Sequence, residues 1–82
     1  MGVRGGIAMF IIARRNREET QILEYDYRKF EREKSGRWFP EGGKGQPWTF
    51  EDFAVADHVR KELEKNSRLR QEFWVYTIRR MT

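Results

Sequence analysis

Hydrophobic and polar positions along the chain fall into four patterned stretches. Residues 9–15 hold the run Phe10-Ile11-Ile12-Ala13, apolar on both alternating faces, which predicts a strand inside a sheet rather than at its edge. After a polar turn at residues 16–20, Leu23, Tyr25 and Tyr27 alternate with Glu24, Asp26 and Arg28. That period of two predicts a half-buried strand over residues 20–28, paired as a hairpin with residues 8–15. Leu23, Tyr27 and Phe30 also stand at helical spacing, Asn16 with Glu19 resembles a capping box and Gly36 is placed to end a helix, so a helix over residues 17–35 is the competing reading.

Residues 31–47 turn polar and glycine-rich, which predicts a long loop interrupted by a short third strand at Trp38-Phe39. Residues 50–65 predict an amphipathic helix, with Phe53, Val55, Ala56, Val59 and Leu63 on one arc. Thr49 is read as its N-cap, Trp48 and Phe53 as a hydrophobic staple, Asp57 and Lys61 as a supporting pair, and Asn66 as its stop. The run Phe73-Trp74-Val75-Tyr76-Thr77-Ile78 is dense in β-formers and predicts the last strand.

The order β-β-(β)-α-β predicts an α+β fold. It is a small two-layer sandwich in which an antiparallel sheet of three or four strands packs on one amphipathic helix. Residues 1–7 are expected to be a flexible leader and residues 8–82 a single domain carrying the glycine-rich loop at 31–47.

Composition narrows the function classes. The chain has 82 residues and no cysteine, which removes disulfides, thiolate metal sites and thiol nucleophiles and makes a cytoplasmic setting the expectation. The apolar run at residues 7–13 falls far short of the ~20 residues that cross a bilayer, so no membrane partner is expected. His58, the lone histidine, falls on the polar side of the helix without a ligand partner. Gly42-Gly43-Lys44-Gly45 lacks the spacing and the hydroxyl residue of a phosphate-binding loop. These absences predict a protein that is not an enzyme and has neither metal nor cofactor.

Seventeen Lys and Arg stand against thirteen Asp and Glu, a formal charge of +4, and twelve of the seventeen are Arg. A basic, Arg-rich surface favours an acidic protein surface, a nucleoprotein complex or nucleic acid. It also serves solubility alone. Tyr25, Tyr27, Trp74 and Tyr76, bordered by Arg14, Arg28 and Arg79, would make a stacking platform for bases, or would pack as core or join two copies in a homodimer. An exposed strand edge, at residues 20–28 or the last strand, offers a second route to a partner or a second copy. The candidate binding residues are Arg28, Trp38, Phe39, Lys44, Arg79 and Arg80.

The run Pro47-Trp48-Thr49-Phe50-Glu51-Asp52-Phe53-Ala54, followed by the helix and the basic strand Tyr76-Thr77-Ile78-Arg79-Arg80, resembles a group of small proteins encoded by phages and other mobile elements. Those are strand-hairpin-helix-strand proteins in which an aromatic, a capping Thr or Ser and an acidic pair precede the helix. The resemblance covers roughly residues 8–80. It implies a protein that binds and disables or redirects a host machine, such as a polymerase or a nucleic-acid-guided defence complex. The group shares no site, so no residue role carries over. Members that imitate DNA are acidic; a basic chain would instead touch an acidic protein surface or the nucleic acid itself.

Overall fold

The computed structural model describes residues 8–81, so the expected leader at 1–7 lies outside the described residues. The elements run β1 (Met9–Arg15), β2 (Thr20–Glu24), α1 (Tyr27–Glu33), β3 (Arg37–Pro40), α2 (Phe53–Leu69) and β4 (Val75–Met81). Four strands form one antiparallel sheet in the order β3-β2-β1-β4. The fold is the expected α+β sandwich, with one helix more than expected.

The central place of β1 explains its two apolar faces. Ile12 is fully buried beneath the helices, with Leu23, Phe30, Phe50, Val59, Leu63 and Tyr76 around it. On the opposite face Ala13 joins Ile22 and Phe39 in a second, smaller cluster. Both faces of β1 are thus removed from water, as an inner strand requires.

The strand expected over residues 20–28 ends at Glu24, and a helix begins three residues later, so the competing helix over residues 17–35 forms only in its second half and not from an Asn16 cap. Asp26 caps that helix by accepting from the Lys29 backbone N–H, and Phe30 is its buried residue. Helix rather than strand wins because Tyr25 leaves the ladder: its backbone N–H donates to the Gln46 carbonyl instead of to β3. The edge strands are β3 and β4; β2 is enclosed between β3 and β1, so the edge expected at residues 20–28 is filled.

The stretch expected as a loop at 31–47 holds the end of α1, the short third strand, and a turn over residues 41–46. From Gln46 to Phe50 the chain crosses the end of the sheet. The Trp48 N–H donates to the Leu23 carbonyl, and Phe10 and Phe50 exchange both backbone hydrogen bonds. Trp48 is therefore drawn into the core, stacked on Phe50 at 5.0 Å and met edge-on by Tyr25, Tyr27 and Phe30.

This crossing also delays α2. Its N-cap is Asp52, not Thr49, so Phe53 opens the helix and pairs with Phe10 instead of stapling Trp48. Ala56, Val59, Leu63 and Ser67 are its buried residues, whereas Phe53 and Val55 are about half exposed. The Asp57–Lys61 pair forms as expected.

Asn66 does not stop α2, which runs on to Leu69. The end is a Schellman arrangement. Gln71 takes a left-handed φ of 61°, its N–H donates to the Arg68 carbonyl, and the Glu72 N–H donates to the Ser67 carbonyl. Ser67 Oγ donates to the Glu72 carbonyl as well, so the lead-in to β4 is pinned from two sides.

Candidate functional site

Alternation along β1 places Arg14 on the same face as Phe10 and Ile12, under the helices, where a charge needs partners. It faces Gln21 on β2 and Tyr76 on β4. Its guanidinium lies between two indoles, 4.2 Å from the Trp38 ring centre and 4.1 Å from that of Trp74. Nε donates to Gln21 Oε1 at 2.8 Å and Nη1 to the Tyr76 hydroxyl at 3.4 Å. Among the described residues no carboxylate pairs with Arg14. Cation–π contact and neutral acceptors hold the charge in place without cancelling it.

Two clefts adjoin this sandwich, the smaller through Arg14 and Trp38 and the larger through Trp74. The smaller, about 180 Å³, opens between α1 and the C-terminal half of α2, with Arg14 lining it beside Lys29 of α1 and Arg70 at the α2 cap. Ser35, Asn66 and Tyr76 add neutral polar groups, and Glu72 is its carboxylate. At its mouth Glu33 accepts from Lys29 and from Ser35. Those two hydrogen bonds, Lys29 first, hold the Glu33 carboxyl below its ordinary value.

The larger cleft, about 510 Å³, lies between the β1–β2 turn, the end of α2 and the lead-in to β4. Phe73, Trp74 and Val75 give it an apolar lining, and Arg15, Arg17 and Arg68 stand around it with Glu64 and Glu72. Arg68 is paired with Glu64, whereas Arg15 and Arg17 have no ion pair among the described residues. Phe73 is 83% exposed, and nearby in sequence Leu69 is 77% exposed. Ser67, Glu72 and Tyr76 line both clefts and form the wall between them.

The residues singled out from sequence do not gather in one place. Trp38 is a wall of the Arg14 sandwich. Phe39, its neighbour, is buried on the opposite face of the sheet. Lys44 is exposed on the turn over that opposite face, where Arg79 donates to Glu41. Arg80 points to the helix side of β4, across from Phe10, and Arg28 is exposed in the first turn of α1. The expected platform is divided too: Tyr25 and Tyr27 surround Trp48, while Trp74 and Tyr76 surround Arg14. Lys29 carries no signal of its own in the sequence. The signal for Arg14 was its alternation with Ile12, which puts an arginine at an inward position.

Among the described residues there is no group of three acidic or histidine side chains placed to hold a metal, and no helix long and apolar enough to cross a membrane. Comparison with protein-family models, with curated proteins and with solved structures finds no match to this chain.

Proposed function

We propose that this chain is a non-enzymatic cytoplasmic interaction protein that binds and regulates or inhibits a protein partner through the larger cleft. The partner would present acidic side chains beside an apolar or aromatic anchor. The observation that carries this reading is the pairing of an apolar lining (Phe73, Trp74, Val75) with Arg15 and Arg17, neither of which has an ion pair among the described residues. Interfaces draw most of their energy from a few aromatic and arginine side chains seated in such pockets, while surrounding charge sets orientation and rate. The likeness to small phage and mobile-element proteins extends the proposal to a host machine as the target.

Direct binding of nucleic acid is the second reading, favoured by the excess of arginine. It has less support, because the rings expected to stack on bases are engaged with Trp48, Trp38 or Arg14.

Co-purification from the source cells, comparing wild type with Phe73→Ala and Arg17→Glu, tests the proposal. A protein retained by wild type and lost by both variants is the expected result. A partner held equally by all three overturns the assignment to this cleft. Anisotropy with labelled single-stranded RNA, single-stranded DNA and duplex DNA tests the second reading. Submicromolar binding at physiological salt would move nucleic acid to first place, since phosphate-driven affinity otherwise falls steeply with salt.

A further inference from the structure

We infer that the smaller cleft, over Arg14, is a binding site for a phosphomonoester group. This goes beyond the acidic partner proposed for the larger cleft and does not depend on it.

Three elements bring cations to this space from different sides: β1 supplies Arg14, α1 supplies Lys29 and the α2 cap supplies Arg70. Against these three stand Glu72 in the lining and Glu33, which is paired with Lys29, so the cleft keeps a local excess of one positive charge. Arg14 makes only the two hydrogen bonds already described, through Nε and Nη1, so Nη2 keeps its donors unused among the described residues. The Tyr76 hydroxyl accepts from Arg14 and so has its own proton to give. Lys29 has one of its three N–H groups on Glu33 and two to spare. A volume of about 180 Å³ is that of roughly six waters.

Those features select among anions. A carboxylate is planar and satisfied by one arginine fork, so it would leave the spare donors of Lys29 and the Tyr76 hydroxyl unanswered. A phosphodiester carries one charge and needs an open path for the chain on both sides. A phosphomonoester carries about −1.5 to −2 at pH 7 and presents three acceptor oxygens tetrahedrally. That matches cations converging from three elements. The stacked indoles hold the Arg14 guanidinium in place before any ligand arrives, which lowers the ordering cost of binding.

The source of the group is a phosphorylated side chain of a protein or a free phosphate, and the probes separate the two. Inorganic phosphate, a phosphoserine peptide of otherwise neutral sequence, its unphosphorylated form, and oligonucleotides with and without a 5′-phosphate would each be titrated into the full chain. The readout is tryptophan emission, because Arg14 touches both Trp38 and Trp74.

Saturable changes with inorganic phosphate or the phosphopeptide are expected, with none from the unphosphorylated peptide. Affinity should drop at least tenfold in Arg70→Ala, whose side chain is exposed at a helix end and whose loss leaves the core intact. It should also drop in Arg14→Lys, which keeps the charge and loses the fork. Binding should weaken as pH falls through the phosphate's second pKa of about 6. Tighter binding of the peptide than of inorganic phosphate assigns the source to a side chain, and the reverse assigns it to the free ion. No saturable response, an undiminished response in Arg70→Ala, or equal binding of oligonucleotides with and without the 5′-phosphate would overturn the inference. Phosphate binding without any partner at Phe73 would leave it standing and remove the acidic-partner proposal alone.

Discussion

Gly45 lies with its backbone against the face of Phe39, so that a Cβ at position 45 would stand 2.4 Å from the ring. The nearest atoms include the ring's root carbon, which cannot swing away, and Phe39 is itself buried in the small cluster with Ala13 and Ile22. The glycine-rich turn is thus a lid on the second face of the sheet. Gly45→Ala should cost about 1–3 kcal/mol by overpacking, lowering Tm by roughly 4–8 °C for each kcal/mol. At Gly42, φ is 87° and nothing stands within 4 Å, so Gly42→Ala should cost only the backbone strain of about 1 kcal/mol. Thermal melts of the two variants would separate the effects; equal losses would show that Phe39 yields.

The start of α2 makes a sharper test of register. Asp52 accepts from the Ala54 N–H at 2.9 Å, whereas Thr49 lies outside the helix. Asp52→Ala should cost about 1 kcal/mol and Thr49→Ala less than about 0.5 kcal/mol. Urea titration of both variants checks the order, and a larger loss at Thr49 would move the cap back to the position the sequence suggested.

Gln71 occupies a left-handed position that glycine takes without strain. Gln71→Gly should therefore stabilise the chain by about 0.5–1 kcal/mol, the relief of strain being partly offset by glycine's greater freedom when unfolded. A rise in Tm is the expected outcome. A fall would mean that the Gln71 side chain makes contacts worth more than the strain.

Acid should weaken the fold through two carboxylates. Asp57 is held below its ordinary value of 3.8 by hydrogen bonds from Arg60 and then Lys61, and Glu33 below 4.5 by those from Lys29 and Ser35. A folded pKa lower than the unfolded one gives a contribution fully present above those ordinary values. It is lost as pH falls through the folded ones. Glu33 is exposed and Asp57 half-buried at the helix surface, so each contribution is small and screened by salt. Between about pH 5 and about pH 3, Asp57→Asn should lose less Tm than wild type. Parallel curves would show that the Asp57 pairs add nothing to folding.

How far the sequence reaches is best judged at particular residues. The double-sided apolar run at Phe10–Ala13 identified β1 as an inner strand because an inner strand has no polar face to show. The stretch after Glu24 could not be decided by periodicity, since Tyr25 and Tyr27 fit a strand while Tyr27 and Phe30 fit a helix. What decides it is a hydrogen bond from Tyr25 to Gln46, a residue more than twenty positions away. The start of α2 was misplaced for a similar reason: Thr49 is a good cap locally, but the chain is still bound to β1 at Phe50. The Arg14 sandwich takes one residue from β1, one from β3 and one just before β4, and no local pattern records that meeting.

The pairing of β1 with β4 carries a consequence for how the protein is made. Met9 lies opposite Met81 and Arg15 opposite Val75, so the first strand of the sheet finds its outer neighbour only after every intervening element has been synthesised. Until then β1 has one side of its hydrogen-bonding edge open, and Arg14 lacks Trp74 and Tyr76. Such long-range closure is slow compared with local helix formation, and an unpaired apolar strand is prone to associate with others while it waits. On the ribosome, the nascent chain is therefore most exposed to aggregation just before its last strand emerges.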